Sequence, residues 1–229
     1  MTEKGYLKSW RFCEECQNVV HKSGDGSWPA CNHDWRPNSP AGVLSNQKKE
    51  LELFGPSEQA LFQLCARTYQ SPIEIFYLVE FIRKYAKGSP IRTIVEIGSY
   101  HGGTADFFDR YFMPEMLICI DLNFEHWTAP QDIAHRIEGD TRDARTLEDV
   151  KIYLNNEPVD FLFIDGDHSI DGARNDWEKY SPLVRNGGVI AFHDTGAIPA
   201  VRQVFEEVPG SVKINIVSYQ GIGIVIKQA

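Results

Sequence analysis

"RTIVEIGSYHGGT", residues 92–104, places Thr93, Ile94, Val95 and Ile97 around a lone glutamate, Glu96, and then turns through Gly98, Gly102 and Gly103. β-branched residues favour a strand, and glycines at its end let the chain turn sharply and let a ligand approach the backbone. The spacing is E-x-G-x-x-x-G. It is neither the G-x-G-x-x-G of dinucleotide-binding folds nor a phosphate loop, which would need a lysine. A glutamate at this point suits a ligand that carries positive charge.

Working outward, the same rhythm repeats. The apolar runs "MLICID" (116–121), "VDFLFID" (159–165) and "GGVIAFHD" (187–194) alternate with segments able to form helices, "DARTLEDVKIYL" (143–154) and "SIDGARNDWEKYSPLV" (169–184). In the second of these, Ile170, Ala173, Trp177, Tyr180 and Val184 fall on one helical face. Strand-helix alternation predicts an α/β fold, a doubly wound, mostly parallel sheet covered on both faces. The tail breaks the rhythm: "VKINIVSY" (212–219) and "GIGIVIK" (221–227) are separated by Gln220 alone. That gap is too short for a crossover helix and predicts an antiparallel hairpin.

Upstream, Ile75, Leu78, Val79, Ile82, Tyr85 and Ala86 recur at helical spacing, and two helices are expected within 56–87, parted near Ser71-Pro72. Residues 1–50 differ in composition, with Gly24, Gly26, Pro29, Pro37, Pro40 and Gly42 among polar residues. The chain therefore divides into a loop-rich segment, 1–50, and an α/β domain, 51–229. The first segment contains Cys13-x2-Cys16 followed by Cys31-x-His33, with His21 between. Four such donors on a segment with little core suit a structural zinc site, although C-x-H is a tighter chelate than the usual pair. Separate thiols in a loop are the alternative.

Bulk properties narrow the function. The 229 residues carry a formal net charge of −9, so nucleic acid is disfavoured as a partner. "MTEKGYLKSWRFCEEC" has no apolar core of a secretory signal, and no later run has the roughly 18 to 20 apolar residues of a membrane span. No membrane association is expected. Cys65 and Cys119 sit in apolar stretches, and five cysteines cannot all pair in one chain. A cytoplasmic location fits.

In open α/β sheets ligands bind beyond the carboxyl ends of the strands. Those ends carry Glu96, Asp121, Asp140, Asp165 and the pair His193-Asp194. Taken in this order, with Gly98 and Gly102, the pattern resembles the class I S-adenosylmethionine-dependent methyltransferases over roughly residues 73 to 227. The resemblance implies a seven-stranded sheet of order 3-2-1-4-5-7-6 with the last strand antiparallel, and S-adenosylmethionine as cofactor. Gly98, Ser99 and Gly102 would pass the amino-acid part of the cofactor. Asp121, with Leu122 beside it, would accept hydrogen bonds from the ribose hydroxyls, and Asp140 and Thr141 would lie by the adenine.

Within that superfamily, "FIDGDHSIDGARNDWEKYSPLVRNGGVIAFHDT" looks like the group that includes macrocin-type sugar O-methyltransferases and cephalosporin-hydroxylase-like proteins. There the matching acids hold a divalent cation, usually magnesium, and the matching histidine is the base. The positions here are Asp165, His193 and Asp194 for the metal, with Asp165 also near the cofactor, and His168 for the base. His193 stands where those enzymes tend to carry glutamate, and an Asp-His-Asp set would suit manganese, iron or zinc better than magnesium. The alternatives are that Asp165 and Asp194 contact the cofactor or cap helices, with His193 hydrogen-bonded in the site wall, and that His168 caps the helix starting near Ser169.

Three functions follow. The first is O-methylation of a hydroxyl on a small molecule, a sugar or natural product. The second is a nucleic-acid methyltransferase gripping its substrate through a zinc ribbon near Lys4, Lys8, Arg11, Lys22 and Arg36, a run offset by Glu3, Glu14, Glu15, Asp25 and Asp34. The third is a noncatalytic binding module. The acceptor's identity and a homo-oligomeric state are left open by the sequence.

Overall fold

The computed structural model describes residues 65, 68, 70–86, 89–217 and 220–228, together with the backbone of two strands at 10–13 and 18–21. In chain order the elements are β1 (Trp10–Cys13), β2 (Asn18–His21), α1 (Pro72–Ala86), β3 (Thr93–Ile97), α2 (Gly103–Phe112), β4 (Met116–Asp121), β5 (His135–Glu138), α3 (Ala144–Leu154), β6 (Val159–Ile164), α4 (Ile170–Tyr180), β7 (Val184–His193), α5 (Pro199–Glu207), β8 (Val212–Val217) and β9 (Ile222–Ile226). They build one sheet in the order β1-β2-β8-β9-β7-β6-β3-β4-β5.

From β5 to β8 this is the expected 3-2-1-4-5-7-6 sheet. β3 to β7 pair in parallel, while β9 runs antiparallel to both β7 and β8. The order reverses between β3 and β6, whose neighbours in sequence lie on opposite sides. A crevice opens there because the flanking connections leave in opposite directions. β2 lies parallel to β8 and β1 antiparallel to β2, so the N-terminal segment extends the sheet by a hairpin. Two four-residue strands in a glycine- and proline-rich context carry too little alternation to be read as such. An open edge on β8 supplies the pairing groups that order them.

The central strands are apolar on both faces because helices cover both. All five residues of β3 and of β9 are buried. Successive side chains alternate between two cores. Ile94, Phe161 and Phe163 meet Phe76, Ile82, Phe107 and Phe108 from α1 and α2. Val95, Leu162 and Ile164 meet Val150, Ala173, Tyr180 and Phe205 from α3, α4 and α5. Phe108 sits edge-on to Phe161 and Phe163 at centroid distances of 5.2 and 5.4 Å, which ties α2 to the sheet beneath the turn it follows.

Of the two helices expected within 56–87, the second is α1, started by Pro72 in the first turn, where a missing N–H costs nothing. Most of the first lies outside the described residues. So do Cys16, Cys31 and His33, and of Cys13 only the backbone at the end of β1 is described. The side chains of Lys4, Lys8, Arg11, Lys22 and Arg36 also lie outside. Among the described residues no helix is long and apolar enough to cross a membrane.

Candidate active site

The turn after β3 is fixed by sterics. Gly98 has φ +82°, and a Cβ there would lie 2.0 Å from the carbonyl oxygen of Asp165. Only glycine allows β3 and β6 to close at this point, and Asp165 N–H donates to the Ile97 carbonyl at 2.9 Å across the same gap. At Gly102, φ +78°, a Cβ would meet the Trp127 ring at 2.6 Å. Gly102 therefore supports the turn from outside, with Trp127 packed on it, and leads into α2.

Glu96 lies beneath the turn and does not line the cavity. It is buried, accepts a thiol hydrogen bond from Cys119 at 3.5 Å, and burial pushes its pKa up to about 7. Next to it, Asp121 at the end of β4 accepts the Tyr100 N–H on Oδ2 at 2.7 Å and the Asn123 N–H on Oδ1 at 3.5 Å. These bonds fix the carboxylate at the cavity edge, where exposed Leu122 follows it. At the end of β5, Asp140 is gripped by the Arg142 guanidinium through bonds of 2.7 to 3.1 Å, which pull its pKa down to about 2. Arg142 lines the cavity with Gly139, Asp140 and Thr141. Nothing in its spacing singled it out, although a cation two residues after a strand-end acid is a legible pairing.

The other end of the cavity is a side-chain network. Asp165 Oδ1 lies 3.1 Å from His193 Nδ1 and 3.4 Å from His168 Nε2, and Oδ2 accepts from Gln70 Nε2 at 2.7 Å. Burial works to raise the Asp165 pKa, but His193, His168 and Gln70 together hold it down at about 2. His193 is 2% exposed, and its Nδ1 is also 3.5 Å from Asp194 Oδ1. Burial opposes its protonation, and the two carboxylates overcome that and raise its pKa. The opposite nitrogen, Nε2, is buried without a hydrogen-bond partner.

His168 is 42% exposed, with Nε2 3.2 Å from Asp194 Oδ2. Its bond to Asp165 raises its pKa above the usual histidine value. It does not cap α4. Ser169 does so, accepting the Gly172 N–H at 3.0 Å, and Asp167 accepts the Ser169 N–H at 2.9 Å. The donor atoms of Asp165, His168 and Asp194 all lie within 4.8 Å of one another. His193 stands behind this group on the sheet.

Gln70 and Gln220 complete the rim, and sequence alone missed both. Gln70 lies 95 residues from Asp165, brought there by the packing of α1. Gln220 accepts the Ser71 N–H on its side chain at 2.8 Å, and its backbone N–H donates to Glu74 at 3.0 Å. One cavity of about 560 Å³ joins both ends, from Gly98, Ser99, Asp121, Asp140 and Thr141 to Asp165, His168, His193 and Asp194.

Residues 95–195, a stretch holding every strand-end acid from Glu96 to Asp194, match the family described as "Methyltransferase domain". Over that stretch, less than half of its length, the chain is similar to a methyltransferase domain. The MycE methyltransferase of the mycinamycin biosynthetic pathway, solved with Mg, SAH and mycinamycin VI, aligns with a TM-score of 0.55 at 19% identity, over 83% of this chain and 59% of its own. An O-methyltransferase from Bacillus cereus in complex with SAH aligns with 0.53 at 18% identity, over 80% of this chain and 97% of its own. CalS11, a TDP-rhamnose 3'-O-methyltransferase of calicheamicin biosynthesis, aligns with 0.52 at 13% identity, over 86% and 99%. At these identities the likeness is one of fold. An uncharacterized protein of Acanthamoeba polyphaga mimivirus is 27% identical over 138 residues, 51% of this chain and 60% of that protein. The chain thus spans about three fifths of that curated relative and of MycE.

Proposed function

We propose that the chain is an S-adenosylmethionine-dependent O-methyltransferase acting on a hydroxyl of a small molecule, a sugar or natural product, with His168 as general base. The observation that carries this reading is the single cavity that joins the glycine turn and Asp121 to His168. Its volume suits a nucleoside-sized ligand with room for a second molecule. Structural neighbours solved with SAH on the same fold support the cofactor, and a neighbour acting on TDP-rhamnose supports a sugar hydroxyl.

The residues present fit the cofactor. Gly98 and Ser99 line the cavity at the turn, so a ligand can lie against the backbone there. Asp121 keeps acceptor capacity for a cis-diol beyond the two N–H bonds that orient it. Asp140 and Thr141 stand where the adenine would lie. When bound, S-adenosylmethionine supplies an electrophilic methyl group on a cationic sulfur.

The chain's own contribution is alignment and proton removal. A hydroxyl is a weak nucleophile near neutral pH, and a positioned imidazole can take its proton as it attacks. With Nε2 turned to Asp165 and Asp194, Nδ1 of His168 is the nitrogen left to accept that proton. The two carboxylates stabilise the imidazolium that forms. Gln70 and Gln220 line the same end and offer carboxamides of the kind that recognise hydroxyl-bearing acceptors.

Calorimetric titration with SAH, followed by methyl transfer to a panel of sugar and natural-product hydroxyls, tests the reading. Binding together with transfer that falls in His168→Ala supports it, and absence of SAH binding overturns it.

A further inference from the structure

Two carboxylates side by side at the ends of neighbouring strands need strong donors or a cation between them. Between Asp165 and Asp194 stands His193, its Nδ1 3.1 Å from one carboxylate and 3.5 Å from the other. Gln70 takes the second oxygen of Asp165, and His168 Nε2 reaches both acids. The Asp165 carboxylate is thus met by nitrogen donors on both oxygens.

A magnesium ion does not fit this arrangement. It demands oxygen ligands in a near-octahedral array, and one residue of the expected set is an imidazole. For His193 to ligate any metal through Nδ1, that nitrogen must give up the proton it shares with Asp165.

We propose that His193 takes the place of a divalent cation, bridging Asp165 and Asp194 by hydrogen bonds, so that this methyl-transfer site works without magnesium. The inference rests on the cavity being a methyl-transfer site. It separates this chain from MycE, whose solved complex contains Mg. The nearby trio of Asp165, His168 and Asp194 has the spacing that a transition ion would accept, so the test includes such ions.

The experiment uses the full chain, stripped with a chelator, with SAH followed by calorimetry, manganese by electron paramagnetic resonance and zinc by calorimetry. The expected result is that the wild type takes up neither ion at this site, so that Asp194→Asn changes nothing in either titration. His193→Glu, which restores an oxygen donor, is expected to bind manganese at least about tenfold more tightly than the wild type. That gain should vanish when Asp194→Asn is added. Stoichiometric manganese or zinc binding by the wild type that Asp194→Asn abolishes overturns the proposal. If His193→Glu does not fold, as loss of SAH binding would reveal, the comparison of wild type with Asp194→Asn decides alone. A wild type that fails to bind SAH contradicts the methyltransferase reading, while the metal titrations still report on His193.

Discussion

The two ends of the cavity are made of different materials. The end at Gly98, Asp121 and Asp140 is shaped by backbone: a left-handed glycine with no room for a Cβ, and carboxylates oriented by neighbouring N–H groups. The end at Asp165, His168, His193 and Asp194 is shaped by side chains that meet only after β6, β7 and α1 have packed. Backbone shape tolerates almost no change, whereas a side-chain network can lose one member and keep its form. The first end is therefore suited to a constant ligand and the second to adjustable chemistry.

Substitutions should separate the ends, and the largest effect belongs to the backbone. Gly98→Ala forces a Cβ onto the Asp165 carbonyl at a left-handed φ, and at least about 3 kcal/mol of stability is expected to be lost. Chemical denaturation and SAH calorimetry should both register it. A variant as stable as the wild type would show that the turn is not rigid.

At the other end, His168→Ala should lower methyl transfer by about 10²- to 10⁴-fold while SAH affinity stays within a factor of about two. Equal loss of both would mean that the two ends are not separable. Asp121→Ala should do the reverse, weakening SAH by about 10- to 100-fold if the proposed charge-assisted bonds to the ribose are lost. The circular dichroism spectrum should not change.

A smaller effect is expected with pH. The proposed base is the neutral form of His168, whose pKa lies above the ordinary histidine value because Asp165 and Asp194 favour the charged ring. Transfer should therefore rise with pH along a limb centred above about 6.5 and be lost as pH falls through it. A pH–rate profile of kcat/KM checks this, and a flat profile through that window would remove His168 as base. Smallest of all, Gln70→Ala takes one hydrogen bond from Asp165. It should slow transfer by about fivefold, in line with roughly 1 kcal/mol, and leave SAH binding alone.

The same contrast explains what could be read from the amino acids. Glu96, Gly98 and Gly102 announce their turn by spacing, and Asp121, Asp140, Asp165 and Asp194 announce themselves because each apolar run ends at one edge of a parallel sheet. The alternation and the short gap at Gln220 pointed to a mostly parallel sheet closed by a hairpin, while the order of the strands came from the resemblance to the class I methyltransferases. Roles at the Asp165 end were not legible in that way. His193 lines the cavity but turns Nδ1 to Asp165, a matter of rotamer and packing. Gln70 gains its role only from the docking of α1. Glu96, expected beside the ligand, instead bonds Cys119 beneath the turn, because residues 96 and 119 pair across β3 and β4 on the same face of the sheet. The β1–β2 hairpin needed the open edge of β8 before its short strands meant anything.

Titration of the full chain with SAH in a calorimeter bears most directly on the central claim. The account predicts one site per chain with a dissociation constant in the micromolar range or below, lost or severely weakened in Asp121→Ala and kept in His168→Ala. No heat of binding at millimolar SAH, or binding indifferent to Asp121, would contradict it.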